Sequence, residues 1–275
     1  MNEKENKLRI DVEGVIGSKN PRLLKVIPSF LISLVKKLIH QKEINQILEH
    51  HGHLKGKAFA SAALGELGIK YNVHGIEKIK KKGRYIFVSN HPLGGLDGMI
   101  LIEVFGEMYD NVKFVVNDLL MHIEPLKSVF VPVNKYGRQH IDNAKLILDA
   151  YSSEAQILYF PAGLCSRMTN GKIQDLNWKK SFVTQAIKHG RDIVPIFFGG
   201  RNSTFFYKFA NIRKSLGIKF NYETILLPHE MFRQRNAIFD IFIGDPISNE
   251  TLLNEGNPAY WSDRLRSEVY NLNRQ

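Results

Sequence analysis

One glycine-rich segment of the chain places a histidine and an aspartate where they could act together. The segment runs Val88-Ser-Asn-His-Pro-Leu-Gly-Gly-Leu-Asp-Gly98, with His91 and Asp97 six positions apart. Apolar residues at 85–88 precede it and apolar residues at 99–105 follow it, so the pattern predicts a strand, a loop and a helix. A neutral imidazole can take a proton from a hydroxyl when a carboxylate holds its other ring nitrogen. His91 is therefore a candidate general base, and Asp97 is the candidate residue that orients it.

The same two residues also have a simpler interpretation. His91 could be a satisfied loop histidine, and Asp97 could cap the helix that follows. One histidine and one aspartate by themselves favour this simpler interpretation, so the other motifs of the chain have to decide between the two.

The segment Asn90-His91, followed by Asp97, resembles the first signature motif of the glycerolipid acyltransferases, the lysophosphatidate acyltransferase-like family. That family usually has four residues between the histidine and the aspartate, whereas this chain has five. Either Gly94 and Gly95 absorb the additional residue in a bulge, which glycine permits at low steric cost, or Asp97 is displaced from its role. The variant found here is similar to a branch labelled as hemolysins and associated with bacterial amino-acid-lipid synthesis.

Residues 130–135 resemble the second motif of the family, in which a strand ends in an arginine that binds the acceptor head group. Lys135 stands in that place, and Arg138 follows three residues later. Lysine keeps the positive charge but lacks the planar fork that grips a phosphate in two places. The resemblance therefore implies substrate binding by Lys135 and Arg138 without strict phosphate recognition. A solvated basic strand end is the alternative interpretation.

Residues 157–167 resemble the third motif, whose common pattern is Phe-Pro-Glu-Gly-Thr-Arg-Ser. Ala162 stands where the family has its glutamate, and Cys165 stands where it has its arginine. Because this motif helps to bind the acceptor in the family, the change implies an acceptor other than lysophosphatidate, such as a lyso-amino-acid lipid. Across the first and third motifs, the resemblance makes these residues candidates for substrate binding: Asn90, Gly94, Gly95, Pro161, Ala162, Gly163, Ser166 and Arg167.

Cys165 is the single cysteine of the chain. A single cysteine excludes an internal disulfide and suits a reducing cytosol. A nucleophilic role for its thiol is not favoured, because no base is evident near it in the sequence.

Strand and helix patterns alternate from residue 69 onward, which predicts an α/β fold. The resemblance implies a glycerol-3-phosphate acyltransferase-like sandwich, in which helices flank a mixed sheet. We assign residues 1–66 to an N-terminal helical extension and residues 67–275 to the acyltransferase domain. Strands are predicted at 69–73, 84–88, 112–117, 129–133, 156–160, 192–198, 222–227 and 238–244.

Residues 22–39 carry apolar side chains at helical spacing with lysines between them, which predicts one amphipathic helix. The neutral or apolar run 26–35 is too short to cross a bilayer, which needs about 20 residues. The helix either lies in the membrane interface, with its lysines at anionic head groups, or packs on the protein's own core. Further helices are predicted at 43–49, 57–65, 176–187 and 260–271.

The net charge of +11 favours anionic partners, but charge alone does not choose among nucleic acid, a lipid surface and an acidic carrier protein. The histidines His50, His51 and His53 are not assigned to a metal site, because no cysteine, aspartate or glutamate stands at ligand spacing. The chain also lacks a Gly-x-Ser-x-Gly motif, which excludes a serine lipase of the usual hydrolase type.

Together, the motifs and the resemblance imply an O-acyltransferase. It would move a fatty acyl group from an acyl carrier protein or coenzyme A thioester to the hydroxyl of a membrane lyso-lipid, either a lyso-amino-acid lipid of the glycine or ornithine type or lysophosphatidate. We expect no metal, no cofactor and no nucleic acid partner, and a peripheral position on the cytoplasmic face of the inner membrane. The alternatives are a non-catalytic basic module that binds lipid or nucleic acid, and a thioesterase or lysophospholipase that uses the same histidine.

Overall fold

A computed structural model describes residues 8–19, 21–133 and 141–273. Within these ranges, seven strands form one sheet with helices on both of its faces, so the α/β fold class predicted from the sequence is confirmed. The strands of this sheet are β1 (Lys70–His74), β2 (Tyr85–Ser89), β3 (Val112–Asn117), β4 (Phe130–Val133), β5 (Gln156–Tyr159), β8 (Asp192–Phe198) and β9 (Ile238–Ile243). A separate hairpin consists of β6 (Arg167–Thr169) and β7 (Lys172–Gln174).

Helices precede the sheet in the chain and then alternate with its strands. The N-terminal helices are α1 (Val12–Lys19), α2 (Pro21–Val26), α3 (Ser29–Leu38), α4 (Gln41–His51) and α5 (Gly56–Glu66). The helices that follow are α6 (Gly95–Met108), α7 (Ile141–Ser152), α8 (Ser181–His189), α9 (Thr204–Ser215), α10 (Leu227–Arg233), α11 (Asn249–Asn254) and α12 (Pro258–Leu272). None of the helices in the described ranges is both long enough and apolar enough to cross a membrane.

The strand order determines which loops can meet. Across the sheet the order is β1-β9-β8-β2-β5-β3-β4, and neighbouring strands are parallel except for β8 and β9, which are antiparallel. Because β2 lies between β5 and β8 and all three are parallel, their carboxyl ends meet at one edge of the sheet. Open α/β sheets bind ligands at this kind of edge.

Two apolar layers hold the helices against the two faces of the sheet. Successive side chains of a strand point to opposite faces, and the all-apolar run of β2 therefore supplies both layers. Phe87 packs in the layer of α5 and α6, whereas Ile86 packs in the layer of α7, α8 and α12. Phe59 and Leu64 of α5 are buried in the first layer. The N-terminal helices are thus continuous with the core at α5, and the domain boundary at residue 66 stays a prediction.

At three places the predicted elements differ from the structure by more than two residues, and one of them is the helix predicted at 176–187, which begins only at Ser181. The single helix predicted at 22–39 is two helices, α2 and α3, because Pro28 lacks the backbone N–H that an uninterrupted helix needs and disfavours helical geometry at the residue before it. The strand predicted at 222–227 is instead a 3₁₀ helix that leads into α10. Pro228 lies in the first turn of α10, where proline is favoured.

The hairpin of β6 and β7 was not predicted, although the sequence contains its signal. Asn170 and Gly171 form the turn, with φ angles of 51° and 75°. Asn-Gly is the pair that favours a two-residue hairpin turn, because both positions require a positive φ. This hairpin brings the chain back toward the sheet edge where β2 and β5 end.

Candidate active site

Asn90 anchors the loop that follows β2 to the neighbouring strand β8. Its Oδ1 accepts a hydrogen bond from the Phe198 N–H at 2.7 Å, and its Nδ2 donates to the Phe198 carbonyl at 3.0 Å. Asn90 is buried, so this pairing fixes the point at which the chain leaves the sheet. These contacts make Asn90 an anchor for the backbone that leads to His91. Binding of a substrate by Asn90 stays a prediction.

The structure brings His91 and Asp97 together despite the additional residue between them. The Nδ1 of His91 lies 3.1 Å from the Oδ2 of Asp97, and the same oxygen accepts a hydrogen bond from the Leu93 N–H at 2.9 Å. Gly94 takes up the additional residue with φ 89° and ψ −118°, a conformation that favours glycine. A Cβ at this position would also lie only 3.2 Å from the Cδ2 of Leu227. For Gly95, by contrast, a Cβ would meet nothing within 4 Å.

Asp97 changes the proton affinity of His91. Burial by itself lowers the pKa of the imidazole, but the negative charge of Asp97 and its hydrogen bond outweigh burial, and the pKa of His91 is raised well above its ordinary value. The neighbouring Cys165 adds to the increase. The neutral form that a general base requires is therefore populated only as the pH rises through this elevated pKa.

Phe160 of the third motif packs against one face of the His91 imidazole. The two rings are stacked, with their centroids 4.0 Å apart and their planes inclined by 17°. Phe160 directly follows β5, the neighbour of β2, so the sheet itself aligns the third motif with the first. Asp97 and Phe160 together fix the ring, while 17% of the His91 side chain remains exposed to an approaching hydroxyl.

The buried residue Asp175, which the sequence analysis missed, connects the first and third motifs. Its Oδ1 accepts hydrogen bonds from the His91 N–H at 3.2 Å and from the Ser166 hydroxyl at 2.6 Å. Its Oδ2 accepts one from the Trp178 Nε1 at 2.9 Å, and the Ser166 N–H donates to the His91 carbonyl at 2.7 Å. Burial raises the pKa of Asp175 in spite of these hydrogen bonds. Asp175 directly follows β7, so recognition of the Asn-Gly hairpin would have directed attention to it.

The middle of the third motif, residues 161–164, is a turn without charged side chains of its own. Pro161 and Ala162 are buried, and the Pro161 carbonyl accepts a hydrogen bond from the Lys179 N–H at 3.1 Å. Gly163 has a φ of 65°, which favours glycine. The Nζ of Lys179 lies 3.8 Å from where a Cβ of Gly163 would be. Lys179 is therefore an exposed cation beside this turn that the sequence analysis did not identify.

Arg167, the predicted anion-binding residue of the third motif, is buried and surrounded by protein acceptors. Its guanidinium donates to the Glu223 Oε1 at 2.7 Å and to the Cys165 carbonyl at 2.6 Å. Arg213 donates to the other carboxylate oxygen of Glu223, also at 2.7 Å. These contacts describe a structural ion-pair network, and the predicted role of Arg167 in substrate binding stays a prediction.

Cys165 lies much closer to a base than the sequence suggested. Its Sγ is 3.5 Å from where a Cβ of Gly94 would be, and it is close enough to His91 to contribute to the raised pKa of that imidazole. The expectation that no base neighbours Cys165 was therefore wrong. The thiol is buried.

Lys135 and Arg138, the candidate residues of the second motif, lie outside the described residues. The strand that leads to them, β4, is at the end of the sheet, three positions from β2 in the order β2-β5-β3-β4. With a strand spacing of about 4.8 Å, β4 lies about 14 Å from β2. Its carboxyl end nevertheless points to the same edge as His91, since β3 is parallel to both β4 and β5.

The histidines of α4 gain an acidic neighbour that their sequence spacing did not reveal. Glu66 of α5 lies 3.0 Å from the Nε2 of His51 and 3.6 Å from the Nδ1 of His50. Their ligand atoms all lie within 4.8 Å of one another. His50 is exposed, and these distances are those of a surface ion pair.

Comparison with known proteins adds four findings. A family model described as an acyltransferase matches residues 14–274. A lyso-glycine lipid O-acyltransferase from Bacteroides thetaiotaomicron is 46% identical over 264 residues, which covers 96% of this chain and 97% of the relative. A protein of the same name from Phocaeicola vulgatus is 42% identical and covers 96% and 95%, respectively. Among solved structures, the 1-acyl-sn-glycerophosphate (LPA) acyltransferase PlsC from Thermotoga maritima matches 90% of each chain with 17% identity and a TM-score of 0.48.

Proposed function

The chain belongs to the acyltransferase family, and on that premise we propose that it acylates the hydroxyl of a lyso-glycine lipid with a fatty acyl thioester. Two relatives that are 46% and 42% identical over nearly their whole length carry the name lyso-glycine lipid O-acyltransferase. The observation that carries the mechanism is the pair His91 and Asp97, 3.1 Å apart at the carboxyl edge of a parallel sheet.

His91 acts as the general base in this proposal. Its Nδ1 is engaged by Asp97, so Nε2 is the nitrogen that takes the proton from the acceptor hydroxyl. The alkoxide oxygen then attacks the thioester carbonyl and forms a tetrahedral intermediate. When the intermediate collapses, the C–S bond breaks, the thiolate of the carrier leaves, and the imidazolium of His91 returns the proton to it. Asp97 stabilises the imidazolium between these two proton transfers.

The amides at the start of α6 are the candidates that stabilise the tetrahedral oxyanion. The first N–H groups of a helix have no acceptor within the helix and attract negative charge. The N–H groups of Gly94 and Gly95 lie at this helix start, and neither donates to a described residue. Removal of one such donor typically costs an acyl-transfer enzyme about 10²–10³-fold in turnover.

The departures from the third motif of the family suit an acceptor with a carboxylate head group. Ala162 leaves out the family's glutamate, and no arginine stands at the place of Cys165. Lysine can bind a carboxylate as a point charge, without the planar fork of arginine. Lys179 stands beside Gly163, and Lys135 and Arg138 are the predicted cations of the second motif. We assign the head group to these cations.

We propose an acyl carrier protein or coenzyme A thioester as donor and a peripheral position on the cytoplasmic face of the inner membrane. The net charge of +11 supports an anionic partner, and both an acidic carrier protein and an anionic membrane fit this charge. Acyl thioesters of either kind are formed inside the cell, which supports the cytoplasmic face.

The test is transfer of a labelled acyl group by the purified full chain. Labelled acyl-carrier-protein and acyl-coenzyme A thioesters are each incubated with lyso-glycine lipid, lyso-ornithine lipid and lysophosphatidate, and products are separated into acylated lipid and free fatty acid. We expect acylated glycine lipid from the wild type. We expect a loss of about 10²–10⁴-fold in His91→Ala, because the general base is missing.

The matched control is His53→Ala, which removes an exposed histidine far from the motifs along the chain. This variant is expected to keep wild-type transfer. Full activity in a folded His91→Ala variant would contradict the mechanism. Free fatty acid as the only product would contradict the transfer reaction and favour a thioesterase. Acylation of lysophosphatidate alone would contradict lyso-glycine lipid as the acceptor.

A further inference from the structure

Helix α9 has an apolar stripe on the side that faces away from the protein. The stripe consists of Phe205, Phe209, Ile212 and Leu216, which continues the helix by one residue, and these side chains are 63%, 36%, 57% and 69% exposed. Spacings of four, three and four residues place them on one face. The opposite side of α9 is packed into the protein through buried residues that include Phe206. The stripe is therefore additional to the face that α9 needs for folding.

The apolar surface continues beyond the helix. Four further large side chains of the segment that follows are exposed: Ile218, Phe220, Tyr222 and Ile225. We call these four residues and the α9 stripe together the α9 surface. A cluster of large exposed apolar side chains on one helix and the segment that follows it is typical of an interaction site, because extensive apolar surface is rarely left in water without a partner.

The charges around the α9 surface are of one sign. Residues 204–222 contain no aspartate or glutamate. Lys208, Lys214 and Lys219 are exposed, and none of them forms an ion pair within the described part of the chain. The nearest carboxylate in the sequence, Glu223, is fully buried between two arginines. The α9 surface thus combines exposed apolar side chains with uncompensated positive charge.

Exposed apolar side chains together with positive charge favour an anionic membrane as the partner over a second copy of the chain. An interfacial membrane helix presents large apolar side chains to the acyl boundary and lysines to anionic head groups. A second copy of the chain would bring the same cations face to face in a two-fold interface, which their repulsion disfavours. We propose that the α9 surface docks the protein on an anionic lipid bilayer. This inference rests on the proposed function, which requires a membrane lipid as acceptor.

The position of the α9 surface explains how docking would serve the reaction. A cavity of about 680 Å³ opens at the start of α9, with Phe205 and Leu38 among its lining residues. Asn202 also lines this cavity, and its Nδ2 donates to the Pro92 carbonyl at 3.0 Å, one residue from His91. Phe205 belongs both to the α9 surface and to the lining of this cavity, so a bilayer against the α9 surface would lie beside a cavity that Asn202 links to the residue after His91.

A second apolar stripe leads to the same cavity from the N-terminal helices. Phe30, Leu34 and Leu38 of α3 follow one another at intervals of four residues, and the first two are exposed. Since Leu38 lines the cavity, this stripe and the α9 stripe converge on its mouth. Arg201 and Arg233 line the cavity as well, together with the buried carboxylate of Glu230.

The test is co-sedimentation of the full chain with vesicles of phosphatidylcholine containing phosphatidylglycerol. The variant is Phe209→Gln/Ile212→Gln, which removes two residues of the stripe and leaves the buried side of α9 intact. We expect its apparent affinity for the vesicles to fall by about tenfold or more, because two apolar side chains no longer leave water. The matched control is Leu253→Gln on α11, a residue 58% exposed on another helix, which should bind within about twofold of the wild type.

Circular dichroism of each variant establishes that it is folded, and transfer to a detergent-dispersed acceptor is measured in parallel. Wild-type affinity in the folded double variant would overturn the proposal, as would absence of vesicle binding by the wild type. A wild-type dimer that the double variant dissociates, measured by light scattering, would show the surface to be a contact between copies and would also overturn it. If vesicle binding depends on the α9 surface but no acceptor is acylated by the wild type, the docking surface stands and the proposed function fails.

Discussion

The chemistry of the site depends on one backbone conformation at Gly94. The five residues between His91 and Asp97 would carry the carboxylate past the imidazole if the loop were regular. A positive φ at Gly94 turns the chain back, and Asp97 reaches Nδ1 from the first turn of α6. The fully buried Asp97 then acts on His91 in a setting where a charge is weakly screened. The additional residue in the sequence therefore does not prevent contact between the imidazole and the carboxylate.

The raised pKa of His91 gives a prediction for the pH dependence of transfer. Below that pKa the imidazole is protonated and cannot act as a base, so kcat/KM should rise with pH on the acid side, with a midpoint above the ordinary histidine value. Asp97→Asn removes the negative charge that raises the pKa. We expect its acid limb to move to lower pH and its maximal turnover to fall by about 10²-fold or more, because the imidazolium is no longer stabilised.

The measurement is a pH profile of initial rates for the wild type and Asp97→Asn. The control variant is Asp263→Asn, which removes the charge of an exposed aspartate on α12 and should leave the profile unchanged. An acid limb that stays at the wild-type pH in Asp97→Asn would show that Asp97 does not set the proton affinity of His91.

At the scale of elements, Glu223 ties the third motif to the helix that carries the α9 surface. It lies in the 3₁₀ helix before α10 and accepts from Arg167 at the start of β6 and from Arg213 on α9. Three segments that are distant in the sequence are thus joined at one buried carboxylate.

Removal of this carboxylate should destabilise the fold. Glu223→Gln leaves the buried Arg167 without its counter-charge, and we expect the free energy of unfolding to fall by about 3 kcal/mol or more. Urea unfolding measures the change. The matched control is Glu255→Gln, which breaks an exposed pair with Arg264 at 3.8 Å and should cost about 1 kcal/mol or less. Equal effects of the two substitutions would show that the buried network does not stabilise the protein.

Local sequence signals predicted most elements because their causes are local. Short runs rich in apolar residues gave β1 to β5, β8 and β9, since burial of a strand requires apolar side chains along it. The break at Pro28 and the Asn170-Gly171 turn were also readable, because proline and glycine act on the backbone at their own positions. The apolar run at 222–227 was not, since a short apolar run is compatible with either a strand or a helix.

At the scale of the whole molecule, the net charge of +11 and the α9 surface would contribute to membrane binding in different ways. Long-range attraction of the cations to anionic lipid is screened by salt, whereas burial of apolar side chains is not. We expect binding to vesicles with phosphatidylglycerol to weaken by about tenfold or more between about 50 and 500 mM salt. Binding of the double variant of the α9 surface should lose proportionally more at high salt, because a larger share of its remaining binding comes from charge.

Co-sedimentation over a salt series checks this expectation, with pure phosphatidylcholine vesicles as the reference. Binding that is independent of salt on the anionic vesicles would contradict a contribution from the net charge. The α3 stripe can be tested in the same series with Phe30→Gln/Leu34→Gln, which separates the predicted interfacial role of residues 22–39 from that of the α9 surface.

The sequence by itself determined the fold class, the candidate base His91 with its carboxylate, and the third motif at Phe160. Each of these depends on residue type and short-range spacing, which a sequence displays directly. The tertiary structure alone decided that Phe160 stacks on His91, that Asp175 joins the two motifs, and that Cys165 lies beside His91. These contacts follow from the placement of β5 next to β2, and strand order is set by the packing of the whole sheet rather than by any local pattern. The α9 surface has the same origin, because a helix with apolar residues on two sides does not reveal in its sequence which side the core will cover.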